Sequence, residues 1–528
     1  MRIAALLVLL AVGVFSVQLV DIVTRLASAN PTAVAFGEGG DDAFYYFTVA
    51  RNIAAGRGIT IDGIHWSSGF QPLWAALTGI AFLLPSDRAA FVLIYVVSLA
   101  FWVVSALLVV RFVKRASTAP VDTTAAAMIV LLFLCERQLN ALFLNGMESG
   151  LNGLLMLLLL TAFQAHFQAP LQARDGKNDK SAVLKLGLIC GLAMLARNDN
   201  VFLCGFLLLG LLVQRGLAPG LRQAIPIVAI ASALVLPWLL YTYWLIGSPI
   251  PQSGIATSQA LRPNFDPYHT QVAIAEGLVP MLFAKTQQLV RQYERVSAIA
   301  GIFLALALAA IVLRPRLSMV GGGLVDRASR ACLLALGGFS LVAFAYYTQA
   351  SSSIQFYERY FAPAKLLVLI LLFLVLVQIW HRVAARAVAT TALVVTALAA
   401  FATSVNQTAL NIGLPWKGHF GQVAYEIGQS PYARSCLKIG MMESGRTAFL
   451  YPDRVVNLDG KVNVEALAAM RAGTLLDYIR KSNFDVIMLN DYDERYLDQK
   501  YPAWRELYGP AGKLANIAVF TRKSGGAC

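Results

Sequence analysis

The sequence predicts an α-helical polytopic membrane protein that ends in a small soluble α/β domain. Of its 528 residues 58% are hydrophobic and only 14% charged, more apolar side chain than one water-soluble core could bury. Long apolar runs separated by short polar loops recur from residue 3 to about residue 404, and beyond that the composition becomes that of a soluble domain. The chain therefore divides into a bundle, 1–404, and a tail domain, 405–528.

The net charge of +14 does not indicate a nucleic acid partner, because no RNA- or DNA-binding motif accompanies it and most Lys and Arg outside the tail lie between the apolar runs. Four cysteines, Cys135, Cys190, Cys204 and Cys332, sit inside apolar runs as small hydrophobes. They imply no metal site. Cys436 and Cys528 share the tail domain, where they either form a bridge or remain thiols.

Taken in order, the first span is expected at about 3–22. An uncleaved helix is preferred to a signal peptide ending at Ala29, because an apolar stretch of ~18 residues is long enough to cross. A first external loop, 23–88, follows. Within it, Phe44, Phe47 or Thr48, and Arg51 are spaced for a helix on the membrane surface with its aromatic groups in the interface. Residues 71–84 are too short to cross and read as interfacial or re-entrant. Further spans are expected at about 89–110, 124–143, 149–166, 183–196, 200–214, 224–246, 297–313, 331–349, 364–380 and 387–404, giving 11 to 13 with the ambiguous segments. The segments 183–196 and 200–214 are short enough to be half-helices.

On this count the loops assigned to the cytoplasm, "RFVKRASTAP", "QARDGKNDKSAVLK", "QRGLAPGLRQ", "LRPRLSMVGGGLVDRASR" and "HRVAARA", carry 15 Lys and Arg between them. That matches the positive-inside rule. The first loop, "NGMESG", "ARNDN", "GSPIPQSG", "FYERY" and the tail domain then all meet on the non-cytoplasmic side.

Several residues there could do chemistry. Asp41 and Asp42 begin the aromatic helix, and one Asp suffices to cap it. A second carboxylate near bilayer depth is costly unless it is used or paired, so a working role stands beside the cap. Tyr45, His65, Trp66 and Gln71 combine aromatic faces with hydrogen-bonding groups, which suits a sugar ring, whereas Trp74 fits an interfacial belt better. Glu148 lies three residues after Asn145, the spacing of a reciprocal helix cap, which is the preferred account and leaves a role in the cleft open. Arg197 forms either an ion pair with Asp199 or a phosphate site, and Arg359 and Lys365 are cations for an anionic ligand or snorkelling groups. Glu136 and Arg137 lie well inside the span 124–143. In the tail, the short apolar runs "LKIGMM", "TAFLY", "RVVNLDG", "FDVIMLN" and "LANIAVFTRK" and the amphipathic "VEALAAMRAGTLLDYIRKS" suggest strands alternating with helices. Asp459 and Asn463 read as a capped turn or as ligand-binding residues at a strand end.

The Asp41-Asp42 pair, the helix "AFYYFTVARNIAAGRG" and the segment "SSGFQPLW", followed by "NGMESG", "ARNDNVFL", "RYFAPA" and "VVNLDGKVN", resemble the GT-C class of polytopic glycosyltransferases. That class includes lipid A aminoarabinose transferases and protein O-mannosyltransferases. The resemblance implies a GT-C-like bundle in a bacterial inner membrane that takes a sugar from a polyprenyl-phosphate donor on the non-cytoplasmic side. The sugar goes to a hydroxyl of an envelope lipid, glycan or protein. It further implies that Asp41 or Asp42, with Asp41 preferred, acts as general base or helps to hold a metal. No cofactor is certain, and a divalent metal is the open alternative. Inverting single displacement needs one base and cationic groups for the departing phosphate, roles for which Arg359, Arg197 and Lys365 are available. A transporter or flippase of lipid-linked sugars, marked by broken helices or an internal repeat, and a non-catalytic assembly scaffold are the competing readings.

Overall fold

A computed structural model describes residues 2–28, 35, 41–169, 176–258, 325–349, 357–382, 386–409 and 419–524. The expected span 297–313 lies outside the described residues. The bundle begins with α1 (Arg2–Ala27), followed by α2 (Asp41–Ala54) and α3 (Pro72–Ala81), both within the first loop, and then α4 (Asp87–Ala116). It continues through α5 (Thr123–Cys135), α6 (Arg137–Leu144), α7 (Ser149–Gln168), α8 (Gly176–Ala196), α9 (Asn200–Arg215), α10 (Leu217–Ile246) and α11 (Gln252–Ser258). After these come α12 (Arg327–Gln349), α13 (Tyr357–Tyr360), α14 (Ala362–Arg382) and α15 (Arg386–Ala409).

Among the described residues six helices are long and apolar enough to cross a membrane, or seven if a bent pair is one span. Of the other expected spans, α9 has only 16 residues, α8 opens on the polar turn "GKND", and 387–404 falls within α15. The bent pair corrects the expectation of one straight helix over 124–143, since α5 and α6 meet at 65°. Glu136 explains the break. Its backbone is extended and its carboxylate accepts from the Leu139 amide at 2.8 Å, so it ends one helix and caps the next. Its other oxygen meets the Lys365 ammonium at 2.7 Å, so this buried charge is paired. Helices α8 and α10 approach closely at Gly187 and Gly191, where added methyl groups would press on Ile230 and Leu234. Small residues four apart let helix backbones approach within lipid.

The first-loop helix α2 does not lie in the interface as its spacing suggested. Phe44 and Phe47 are fully buried, and they stack edge-on or tilted against Phe91 of α4 at 6.0 and 5.6 Å. Trp74 is likewise no belt residue. It is 1% exposed and donates to the Gly146 carbonyl.

The tail is an α/β domain. After α16 (His419–Gln429) its elements are β1 (Ile439–Met441), α17 (Gly445–Leu450), β2 (Val455–Asn457), α18 (Val464–Ala472), α19 (Leu475–Ser482), β3 (Val486–Leu489), α20 (Asp491–Lys500), α21 (Trp504–Leu507), β4 (Tyr508–Leu514) and β5 (Ile517–Arg522). The sheet order is β2-β1-β3-β5-β4, with β2, β1 and β3 parallel and β5 and β4 antiparallel. "TAFLY" is helical rather than extended, because a partner outside the domain accepts the amides at its start, as described below. Cys436 is disulfide-bonded, while Cys135, Cys190, Cys204 and Cys332 are free.

Phe449 and Val462 of the tail belong to the same apolar core as the membrane helices. Arg51 fastens this contact, lying 3.9 Å over the Phe449 ring and donating to its carbonyl at 2.7 Å. At Gly445 the backbones meet so closely that a Cβ would fall 2.1 Å from the Asp41 carbonyl oxygen. Replacing Gly445 by Ala therefore forces the junction apart and is expected to cost ~1–3 kcal/mol. Gly205→Ala on α9, where nothing lies within 4 Å, is expected to be neutral or stabilising by up to ~1 kcal/mol. Thermal unfolding of the two purified variants checks the contrast.

Candidate active site

The first turn of α2 sends its two carboxylates in different directions. Asp41 Oδ1 accepts from the Arg446 amide at 2.8 Å and Oδ2 from the Gly445 amide at 3.1 Å, so it caps α17 of the tail domain. Asp42 lines a cavity of about 520 Å3, a size suited to a small substrate. Its Oδ2 accepts from Arg359 Nη1 at 3.1 Å.

The cavity lining is both polar and apolar. Asp42, Tyr46, Gln71, Glu148, Arg359 and Lys461 are among its polar residues, and Val201, Phe202, Val235, Leu239, Phe339 and Val342 of α9, α10 and α12 among its apolar ones. The "GSPIPQSG" segment contributes Pro249 to Pro251 and Ser253.

Glu148 does not make the expected reciprocal cap with Asn145. Asn145 instead accepts from the Met147 amide two residues on. That frees Glu148, 3% exposed, to accept from Tyr46 at 2.8 Å and from Arg197 Nη1 at 2.8 Å. Arg197 also binds Asp199 through Nε and Nη2, and donates to the Tyr347 hydroxyl. Stacked rings of Tyr347 and Tyr360, 3.7 Å apart, close that wall. Arg197 is therefore held by two carboxylates, the ion-pair alternative of the sequence reading, although it still lines the cavity. Arg359 meets Asp42, Tyr360 and the Met147 sulfur.

Other candidates lie apart from this wall. Lys365 is bound to Glu136 and does not line the cavity. His65 Nδ1 is 2.6 Å from Asp62 and its Nε2 3.5 Å from Glu465 of the tail, and Trp66 is 43% exposed; neither lines the cavity. Tyr45 does, and its hydroxyl accepts from the Ser444 amide at 3.0 Å. Gln71 caps α3 through its backbone and lines the cavity, with a buried side-chain oxygen that has no partner among the described residues.

Two participants escaped the sequence reading. Tyr46 carried no signal apart from its aromatic neighbours. Lys461 stood inside the quoted "VVNLDGKVN", where only Asp459 and Asn463 were singled out. Asn463 caps α18 by accepting from Glu465 and Ala466, and Asp459 accepts from the Lys461 amide at 2.8 Å, which is the capped turn.

Burial governs the electrostatics of the junction. It pushes the Asp41 carboxyl from 3.8 up to about 7, with the neighbouring Asp42 adding to the rise and the Arg446 amide opposing it. Burial, together with Glu443 and Asp459, raises Asp493 to about 8. A divalent metal does not fit the Asp41-Asp42 pair, since one carboxylate faces two amides and the other a guanidinium. Among the described residues no group of three or more His, Cys, Asp or Glu is arranged to hold an ion.

No protein-family model matches the chain, and no curated protein sequence does. Solved structures do. ArnT from Cupriavidus metallidurans bound to undecaprenyl phosphate is 13% identical, with a TM-score of 0.55 over 97% of both chains. The Archaeoglobus fulgidus oligosaccharyltransferase in complex with Zn and sulfate is 12% identical, with a TM-score of 0.54 over 98% of this chain and 73% of that one. The same organism's AglB, with an inhibitory peptide and a dolichol-phosphate, is 11% identical with a TM-score of 0.52, covering 99% and 74%. The chain thus has the GT-C fold of these membrane proteins, bundle and tail domain together, as the sequence resemblance implied.

A group whose folded pKa is raised binds its proton more tightly when folded, so its stabilisation is full below its unfolded value and lost as pH rises. Wild-type stability is accordingly expected to fall between about pH 4 and 7 through Asp41. Asp41→Asn removes that part of the slope while keeping one acceptor for α17, as thermal melts across the range would show.

Proposed function

We propose that the protein transfers a sugar from a polyprenyl-phosphate donor to a hydroxyl acceptor at the non-cytoplasmic face of a bacterial inner membrane. The observation that carries this reading is the Asp42 and Arg359 pair in the wall of a cavity that is lined both by polar residues and by apolar residues of the helices. Such a cavity suits a lipid tail joined to a phosphate and a sugar, and two fold neighbours were solved with the lipid phosphates undecaprenyl phosphate and a dolichol-phosphate.

The chemistry requires a base, a cation and a place to put the tail. In our reading the base is Asp42 rather than Asp41, because Asp42 faces the cavity while both Asp41 oxygens are taken by the tail helix. Asp42 takes the acceptor hydroxyl proton as the acceptor oxygen bonds to the anomeric carbon. The bond from that carbon to the phosphate oxygen breaks, and its electron pair leaves with the phosphate towards Arg359. One displacement inverts the anomeric centre. Gln71 and Tyr46 are placed to hold sugar or acceptor hydroxyls. The broken α5 and α6 pair is the kind of feature a lipid-linked sugar transporter would show. Its charged residues, Glu136 and Lys365, satisfy each other outside the cavity, which favours transfer.

The test is label transfer from radiolabelled polyprenyl-phosphate sugars to envelope lipids and glycans in membranes bearing wild type, Asp41→Asn, Asp42→Asn or vector alone. Asp42→Asn keeps the size and a hydrogen-bonding oxygen, yet is expected to lower transfer by about 10²–10⁴-fold for loss of the base. Asp41→Asn is expected to retain transfer. Full transfer by Asp42→Asn would refute its role.

A further inference from the structure

We propose that Lys461, a residue of the tail domain, is a binding residue for the donor phosphate, so that the cavity is complete only with the tail domain docked. The inference rests on the proposed transferase reading and extends it to a residue outside the membrane bundle.

Three cations line the cavity among the described residues: Arg197, Arg359 and Lys461. Arg197 is committed to carboxylates at 2.8 and 2.9 Å, the length of strong charge-assisted bonds. Lys461 is held more loosely. Its ammonium lies 3.4 Å from Asp459 and 3.6 Å from Glu443, distances beyond those of strong bonds, so its three donors can turn to a better acceptor. A phosphate oxygen in the cavity is such an acceptor, and an ammonium at the end of a flexible stem can follow it.

The backbone beneath the side chain, by contrast, is fixed. Lys461 follows the tight turn at Gly460, where φ is +72°. The Gly460 carbonyl accepts from Gln252 Nε2 at 2.9 Å, and the Gln252 side-chain oxygen in turn accepts from the Ser68 amide. On the other side stands Gly69, where a Cβ would come within 1.7 Å of the Lys461 carbonyl oxygen. Gly69 itself lines the cavity. The turn is thus clamped between the first external loop and α11, and the ammonium is delivered into the space that Asp42 and Arg359 face.

The topology of the tail domain supports this placement. Glu443, Lys461 and Asp493 follow the carboxyl ends of the three parallel strands β1, β2 and β3. Ligands in open α/β sheets bind at that edge. Here it is the edge turned to the membrane bundle.

Binding of undecaprenyl phosphate and of undecaprenol to the purified full-length protein in nanodiscs tests the assignment, comparing wild type, Lys461→Met and Lys461→Arg. Wild type is expected to bind the phosphate more tightly than the alcohol. Lys461→Met should lose about 10-fold or more for the phosphate, the worth of a hydrogen bond to a charged group, while its affinity for the alcohol stays unchanged. Lys461→Arg should recover most of the loss. If Lys461→Met binds the phosphate as wild type does, the assignment falls and the transferase reading stands. If wild type itself does not distinguish phosphate from alcohol, the lipid-phosphate reading falls first. A variant that loses both ligands equally has lost the cavity, and that outcome makes Lys461 a structural residue and overturns the assignment.

Discussion

The seating of the tail domain on the first external loop depends on one carboxylate placed at one helix N-terminus. Asp41 accepts both leading amides of α17, which would otherwise be unsatisfied at a buried interface. A helix start carries partial positive charge, so an acidic partner there is favoured twice, by hydrogen bonding and by the dipole. The contact is tight because Gly445 presents no side chain. Around it gather the other links: Arg446 4.3 Å over the Phe44 ring, Arg51 over the Phe449 ring, and the Ser444 amide on the Tyr45 hydroxyl. Together they set the parallel-strand edge of the tail against the cavity.

The junction also explains why two adjacent aspartates differ. Successive helical positions point about 100° apart, so Asp41 and Asp42 cannot serve one partner. Asp41 turns to the tail and Asp42 to the cavity. The same separation of duties runs through the cations. Glu136 and Lys365 neutralise each other at a helix break, and Arg197 sits between Glu148 and Asp199 as a buried strut. Lys461 keeps looser company at the cavity wall. Buried charges with short, multiple partners hold structure, whereas those with few or distant partners are the ones a ligand can recruit.

The resemblance in fold to ArnT and AglB at 11–13% identity is consistent with this division. A helical bundle tolerates replacement of nearly every lipid-facing residue by another apolar one, so the architecture outlasts the sequence. The side chains that line a cavity of about 520 Å3 are free to differ while the fold is kept.

Much of the architecture could be read from the sequence. Apolar runs of spanning length and the turn to alternating strand and helix signals pointed to the bundle and the tail, because each is a local property of composition and period. The first-loop segment also marked itself, by paired carboxylates at the head of an aromatic helix. What local pattern could not convey was direction and pairing. Nothing in "DDAFYY" distinguishes the aspartate that caps a helix 404 residues away from the one that faces the cavity, nor tells that Phe44 and Phe47 are buried between a span and a distant domain. The break at Glu136 was hidden because the side chain caps the next helix instead of continuing the first, and the Lys365 that pairs its charge lies on another helix. Lys461 was hidden because its meaning depends on which edge of the sheet meets the membrane. The sequence by itself determined the class of fold, since that follows from short-range periodicity and composition. Only the tertiary structure decided which carboxylate and which cations face the same space, because that depends on contacts between residues hundreds of positions apart.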